Sequence, residues 1–315
     1  MVRYILVRLV HALPIVLLVT FATYSLLLML PGDPVTVMFA QGGALTPQQQ
    51  ANLRHQLNLD KPIPVQWLLW VKDVATGDFG RSTQTRLPVS RLLRTSLPVT
   101  LQLGTFALVL SLILAIPAGV LSAVRANSWF DRIATVVAIG GVAMPDFFLA
   151  IVLIIIFASR LHWLPATGWI SLGTNPTRAL KYMLLPGIVV GFALAPLTMR
   201  QIRSSLLEVL RQDYVRTARA KGLREQRVVL VHALRNALLP TLTVLSLVIG
   251  RLLAGQVIVE QIFGIPGMGR VFVGAILSRD FPVVQATVLL IALMVIVANL
   301  AADICYAVLD PRIRY

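Results

Sequence analysis

Long apolar stretches alternate with short polar ones along most of this chain, and the polar breaks mark where its elements end. A helix rises 1.5 Å per residue, so about 20 apolar residues cross the hydrocarbon core of a bilayer. Six stretches reach or approach that length: Leu9 to Leu30, Val99 to Val124, Ile133 to Ala158, Met183 to Met199, Ala237 to Val259 and Val283 to Ile304. The pattern predicts an all-α, polytopic membrane protein with six transmembrane helices. Arg3 and Arg8 precede the first stretch as in a signal peptide. That apolar run is too long for one and no small-residue cleavage site follows, so it reads as a retained helix. Pro186 and Pro196 fall inside the fourth stretch, where each removes an intrahelical hydrogen bond and predicts a kink.

Two segments do not read as spans. Residues 31–98 are mixed in composition, with a helix start near Thr46-Pro47 and an apolar-aromatic run from Trp67 to Val71. They read as a small folded extracytoplasmic lobe between the first two spans. Residues 201–236 set Arg and Lys among Leu, Val and Ala at helical spacing, interrupted at Gly222. That predicts two short helices meeting at a bend on the inner membrane surface. The chain thus divides into an N-terminal span (1–30), the lobe (31–98) and a core of five spans carrying the inner loop (99–315).

Composition agrees with a bilayer: 57% of residues are hydrophobic and 13% charged, too few to cover a water-facing globule. The formal charge of +15 is distributed by topology. With the N-terminus inside, fifteen Lys and Arg fall in cytosolic segments and five in the short outer loops, which places both termini in the cytoplasm. The basic residues then meet anionic lipid head groups, and no aromatic-interleaved basic module supports nucleic acid as a partner. Cys305 is the single cysteine, so there is no intrachain disulfide, and no Cys/His spacing suggests a metal.

No G-x-x-x-x-G-K-[ST] loop is present to cradle nucleotide phosphates; the glycine-rich Gly264-Ile265-Pro266-Gly267-Met268-Gly269 lacks the lysine. Neither G-x-S-x-G nor H-E-x-x-H occurs. Powered transport would draw its energy from another subunit. In the inner segment Ala218, Ala220 and Gly222 leave room for a partner to approach the backbone, and the flanking arginines offer charge complementarity. An amphipathic helix on anionic lipid would suit the same residues equally well. Ionisable residues within spans are costly and so paired or functional. Asp146 lies about 13 residues from the inner end of the third stretch and Arg251 about 14 from that of the fifth, roughly 20 Å deep in both cases. A structural salt bridge, a pair lining a substrate pathway and no contact at all are the three readings. Asp303 stands at the inner end of the sixth stretch, where an interfacial anchor is expected.

Asp213-Tyr214-Val215-Arg216-Thr217-Ala218-Arg219-Ala220-Lys221-Gly222-Leu223 resembles the EAA loop of permease subunits in bacterial ATP-binding-cassette importers. The general loop has Glu-Ala-Ala, three residues, then Gly; here Arg216, Thr217 and Ala218 precede Gly222, and Arg235 stands where a proline is common. These departures are shared by the dipeptide/oligopeptide branch. Leu30-Pro31-Gly32-Asp33-Pro34, Leu57-Asn58-Leu59-Asp60-Lys61-Pro62, Gly77-Asp78-Phe79-Gly80-Arg81-Ser82, Glu260 to Arg270 and Tyr306 to Tyr315 resemble the same branch, in order. The resemblance implies a B-type permease with the type I ABC importer permease fold. It implies ATPase-coupling roles for Tyr214, Arg216, Thr217, Ala218, Ala220, Lys221, Gly222 and Leu223. Its implied partners are a second homologous permease in a heterodimer, two ATP-binding subunits and an extracytoplasmic peptide-binding protein, in a bacterial inner membrane. No cofactor is expected on this chain; ATP and Mg belong to the ATPases. Similar permeases carry dipeptides, longer peptides, glutathione or nickel chelates. An ATP-independent secondary transporter or channel is the reading from another class, disfavoured because the spans hold too few ionisable groups for a proton relay.

Overall fold

The computed structural model describes residues 2–29, 46–56 and 58–309. Leu30 to Pro34, Leu57 and Asp310 to Tyr315, which carry part of the resemblance, lie outside the described residues, as does the side chain of Asp303. Thirteen α-helices are described: α1 (Val2–Met29), α2 (Pro47–Gln56), α3 (Ile63–Ala75), α4 (Val89–Val124), α5 (Trp129–Ala143), α6 (Asp146–Leu153), α7 (Pro176–Val209), α8 (Asp213–Ala220), α9 (Glu225–Arg227), α10 (Leu234–Gly255), α11 (Val257–Ile262), α12 (Met268–Leu277) and α13 (Phe281–Leu309). Two π-helical segments, Ile154–Arg160 and Val228–Ala233, extend α6 and join α9 to α10. Extended structure among the described residues is confined to one isolated bridge between Arg81 and Pro88. Among the described residues five helices are long and apolar enough to cross a membrane, and six spans result when α5 and α6, bent by 105°, count as one.

The chain divides into two compact units. The first comprises Met1–Pro98 and Pro266–Ile296. In it α3 lies on α1. Phe21 and Trp67 meet edge to face at 5.3 Å, Trp67 Nε1 donates to Thr20 Oγ1 at 3.3 Å, and Tyr24 Oη donates to Gln66 Oε1 at 3.3 Å. Trp67 is therefore spent on its own chain, while Val65 and Leu68 stand exposed on α3. Helix α2 starts in a reciprocal cap: Thr46 Oγ1 accepts from the Gln49 amide at 3.3 Å, and Gln49 Oε1 from the Thr46 amide at 2.9 Å. The segment after α3 is folded by one buried carboxylate. Asp280 accepts from the Ser82 hydroxyl and from the Thr83 amide, the latter at 3.1 Å, and Gly77 and Gly80 supply the positive φ the path requires. Val89, Leu93, Met268, Phe281 and Val284 form this unit's core.

The second unit comprises Val99–Ile265 and Val297–Tyr315. Its α4 and α7 run parallel along a seam of small residues. A Cβ added at Gly119 would stand 2.9 Å from the Met199 carbonyl oxygen, one at Gly191 3.1 Å from that of Ala107, and one at Gly187 2.4 Å from the Phe106 ring. In lipid such close backbone approach replaces the hydrophobic effect as the source of packing energy. Helix α7 is one 34-residue element with Pro186 and Pro196 inside it, far longer than its apolar stretch suggests.

The third apolar stretch, expected as one span, is broken instead. Met144 adopts an extended conformation (φ −81°, ψ 122°) because the ring of Pro145 disfavours helix at the preceding residue and brings no amide to continue the ladder. The straight-helix depth assigned to Asp146 fails with it, since Asp146 opens a new helix at 105° to the old one. The fifth stretch is broken too: α10 stops at Gly255 and α11 begins after Gln256.

Candidate functional site

The inner loop is built around a short amphipathic helix. Val215 and Ala218 of α8 are buried in a cluster with Ala123, Leu206, Val228 and Ala233, and Leu223 packs on its edge. The π segment adds a residue to the turn, which brings Val228, Val229 and Ala233 onto the same inward side as Ala237. With two anchors spent inward, Tyr214, Arg216, Thr217, Ala220, Lys221 and Gly222 are left exposed. Ala218, expected on the side a partner approaches, faces this chain's own core and is 8% exposed.

Three bonds fix the geometry of that surface. Arg219 meets Glu225 in a two-point pair, Nε to Oε2 at 3.0 Å and Nη2 to Oε1 at 2.7 Å, closing the turn around Gly222. The Glu225 carboxylate holds the Arg219 guanidinium above its ordinary value, mainly through this hydrogen bonding. Both groups are about half exposed, so the pair contributes only about 0.5 kcal/mol and serves chiefly to set the turn. Gly222 has φ +74°, and Asn236 Nδ2 donates to Tyr214 Oη at 2.8 Å, tying the start of α8 to α10. The second short helix expected after the bend is not separate: α9, the π segment and α10 follow one another without a loop, so the helix after Gly222 runs on into the fifth span.

Beneath the loop, Arg203 of α7 grips Asp131 of α5 through Nε to Oδ1 at 2.6 Å and Nη2 to Oδ2 at 2.7 Å. Asp131 is 3% exposed and also accepts from the Asn127 amide at 2.9 Å. Sequence spacing gave no warning of this pair, because its members lie 72 residues apart; the one local signal was Ser128, whose hydroxyl caps α5.

Asp146 and Gln256 share a second feature, a cavity of about 380 Å³ under the break between α5 and α6. Their companions in its wall are apolar, among them Met144, Val190, Leu194, Val248 and Leu252. Arg251 sits in α10 beside the lining residue Leu252, but its side chain lies outside the described residues, and the expected pairing with Asp146 stays with it. Gln256 escaped sequence reasoning because it stands inside an apolar stretch read as continuous. The adjoining Gly255 is the one sign of a helix end.

Comparison with known proteins accounts for the whole chain. Residues 115–315 match the family described as binding-protein-dependent transport system inner membrane component, and residues 1–104 match its N-terminal counterpart. The dipeptide transport system permease protein DppB of Escherichia coli K12 is 40% identical over 340 aligned positions, covering 100% of this chain and 99% of the relative. DppB of Alkalihalophilus pseudofirmus is 38% identical with 100% of both chains covered. Among solved structures, a chain of the inward-facing MetNI methionine ABC transporter superposes with a TM-score of 0.58 at 16% identity, covering 70% of this chain and 96% of the other, which is a likeness of fold. A multi-pass helical chain matched from end to end in this way belongs to the family of binding-protein-dependent transport system inner membrane components.

Proposed function

We propose that this chain is one permease of an ATP-driven peptide importer. It forms half of the pathway for dipeptides or oligopeptides handed over by an external binding protein. A second, homologous permease completes the pathway, and two ATPase subunits hydrolyse Mg-ATP on the cytoplasmic side, where both termini of this chain also lie. The observation that carries the reading is the full-length likeness, 40% identity, to a dipeptide permease. Support comes from the inner loop. Its exposed residues, Tyr214, Arg216, Thr217, Ala220, Lys221 and Gly222, together with Leu223 at the edge, form a surface stiffened by Arg219–Glu225 and rooted by Val215 and Ala218. A load applied there reaches α10 through the Asn236–Tyr214 bond and through the helix after the turn, which runs on from α9 without a loop.

The test is uptake by the whole importer reconstituted in liposomes, with radiolabelled alanyl-alanine outside. Uptake is expected to need both ATP on the side of the ATPases and the binding protein on the other. Uptake independent of ATP would return the chain to the secondary transporters or channels. No uptake of alanyl-alanine, with ATP-dependent uptake of labelled glutathione or of a nickel chelate in its place, would keep the importer and change its cargo.

A further inference from the structure

We propose that Asp146 and Gln256 form a subsite for the free α-ammonium group and first peptide group of a transported peptide; the inference rests on the peptide-import reading. Gln256 is 2% exposed, yet neither its Oε1 nor its Nε2 has a hydrogen-bond partner, although buried amides are normally satisfied. Asp146 opens α6 without capping it, and among the described residues its carboxylate has no cation beside it. Both line the cavity of about 380 Å³, whose other walls are apolar. That size falls within the roughly 300–1,000 Å³ of small-ligand sites.

The unspent chemistry is an anion, an amide acceptor and an amide donor. A bare cation would answer the carboxylate and Oε1 and leave Nε2 unsatisfied. A peptide's amino end answers all three, with an ammonium for Asp146 and an N–H and a C=O for the Gln256 amide. Gly104 keeps the room for this amide, since a Cβ there would stand 2.8 Å from Gln256 Nε2. The surrounding Val190, Leu194, Val248 and Leu252 offer an apolar wall without directional demands, which suits a site that reads a peptide's backbone terminus and tolerates its side chains.

The experiment uses the complete importer carrying Met144→Cys in a Cys305→Ser background, so that the one thiol of this chain lies on the cavity wall. Labelling rates are compared for a trimethylammonium-bearing and a sulfonate-bearing methanethiosulfonate. The cationic reagent should react about tenfold faster, as expected for one nearby carboxylate. Millimolar alanyl-alanine should slow the labelling several-fold and N-acetyl-alanyl-alanine should not; Asp146→Asn should abolish the charge preference and Gln256→Leu the protection. Equal protection by the acetylated peptide, or no protection by either, overturns the inference. That comparison needs no change at position 146, so it decides even if Asp146→Asn does not assemble. ATP-dependent uptake without protection removes the subsite alone. Protection without any peptide uptake removes the import reading and leaves the ammonium site standing.

Discussion

Gly222 separates the strain a turn imposes from the surface it presents. Its φ of +74° is one that L side chains adopt at a cost of roughly 1–2 kcal/mol, and a Cβ built there meets nothing within 4 Å. Gly222→Ala therefore pays the backbone cost and no steric one. Gly222→Asn pays less, because asparagine visits the left-handed region with local hydrogen bonding. Gly222→Trp pays about the same backbone cost as alanine, and its rings extend into space that this chain leaves empty. Any further loss with tryptophan belongs to a surface outside the chain. The assay is uptake and peptide-stimulated ATP hydrolysis by the reconstituted importer, normalised to assembled complex. Asparagine should remain near wild type and alanine should lose a few-fold. Tryptophan should fall at least about tenfold below alanine in uptake, equivalent to about 1.4 kcal/mol of lost contact, while hydrolysis persists. Equal values for tryptophan and alanine would show that no partner approaches Gly222.

Other perturbations test the scaffold. Asp131→Ala strands the Arg203 guanidinium and should cost the complex on the order of 2–3 kcal/mol, less than a fully buried pair because Arg203 keeps some water; thermal unfolding should show the double change with Arg203→Ala recovering part of the loss. Gly119→Ala drives a methyl against the Met199 carbonyl and should destabilise by about 1–3 kcal/mol, whereas Gly140→Ala meets nothing and should be neutral or slightly stabilising in the same melt. Asp280→Ala releases Ser82 and Thr83, so trypsin should nick the chain at Arg81 or Arg86 several times faster. A photocrosslinker at Leu68, exposed on α3, should capture a second subunit in the assembled importer more often than one at Trp67, which is packed against α1.

Where the fold depends on local pattern, the sequence was legible. Apolar run lengths located the spans, Thr46-Pro47 announced a helix that begins there, and Gly222 marked a turn with positive φ. The breaks were not legible, because Pro145 and Gln256 sit in runs apolar enough to read as continuous. A proline inside a span is also ambiguous: Pro186 and Pro196 are carried within α7 while Pro145 ends α5. At the inner loop, charge and small residues singled out the segment but did not give its facing. Alanine at 218 permits close approach from either side, and only Val215, Val228 and Ala233 decide that the approach comes from within. Long-range pairs such as Asp131–Arg203 leave no mark at any spacing.

The break at Met144-Pro145 also bears on how the protein is made. Helix α5 has 15 residues, about 22 Å, against a hydrocarbon thickness of about 30 Å. Neither it nor α6 with its π extension is long enough to span alone, and the break between them leaves backbone groups that lipid does not satisfy. The seat that completes α5 comes later in synthesis: Gly141 lies flush against Phe192 and Pro196 of α7. In synthesis the third span therefore reaches its packed form only after roughly fifty more residues have been made and α7 is in place.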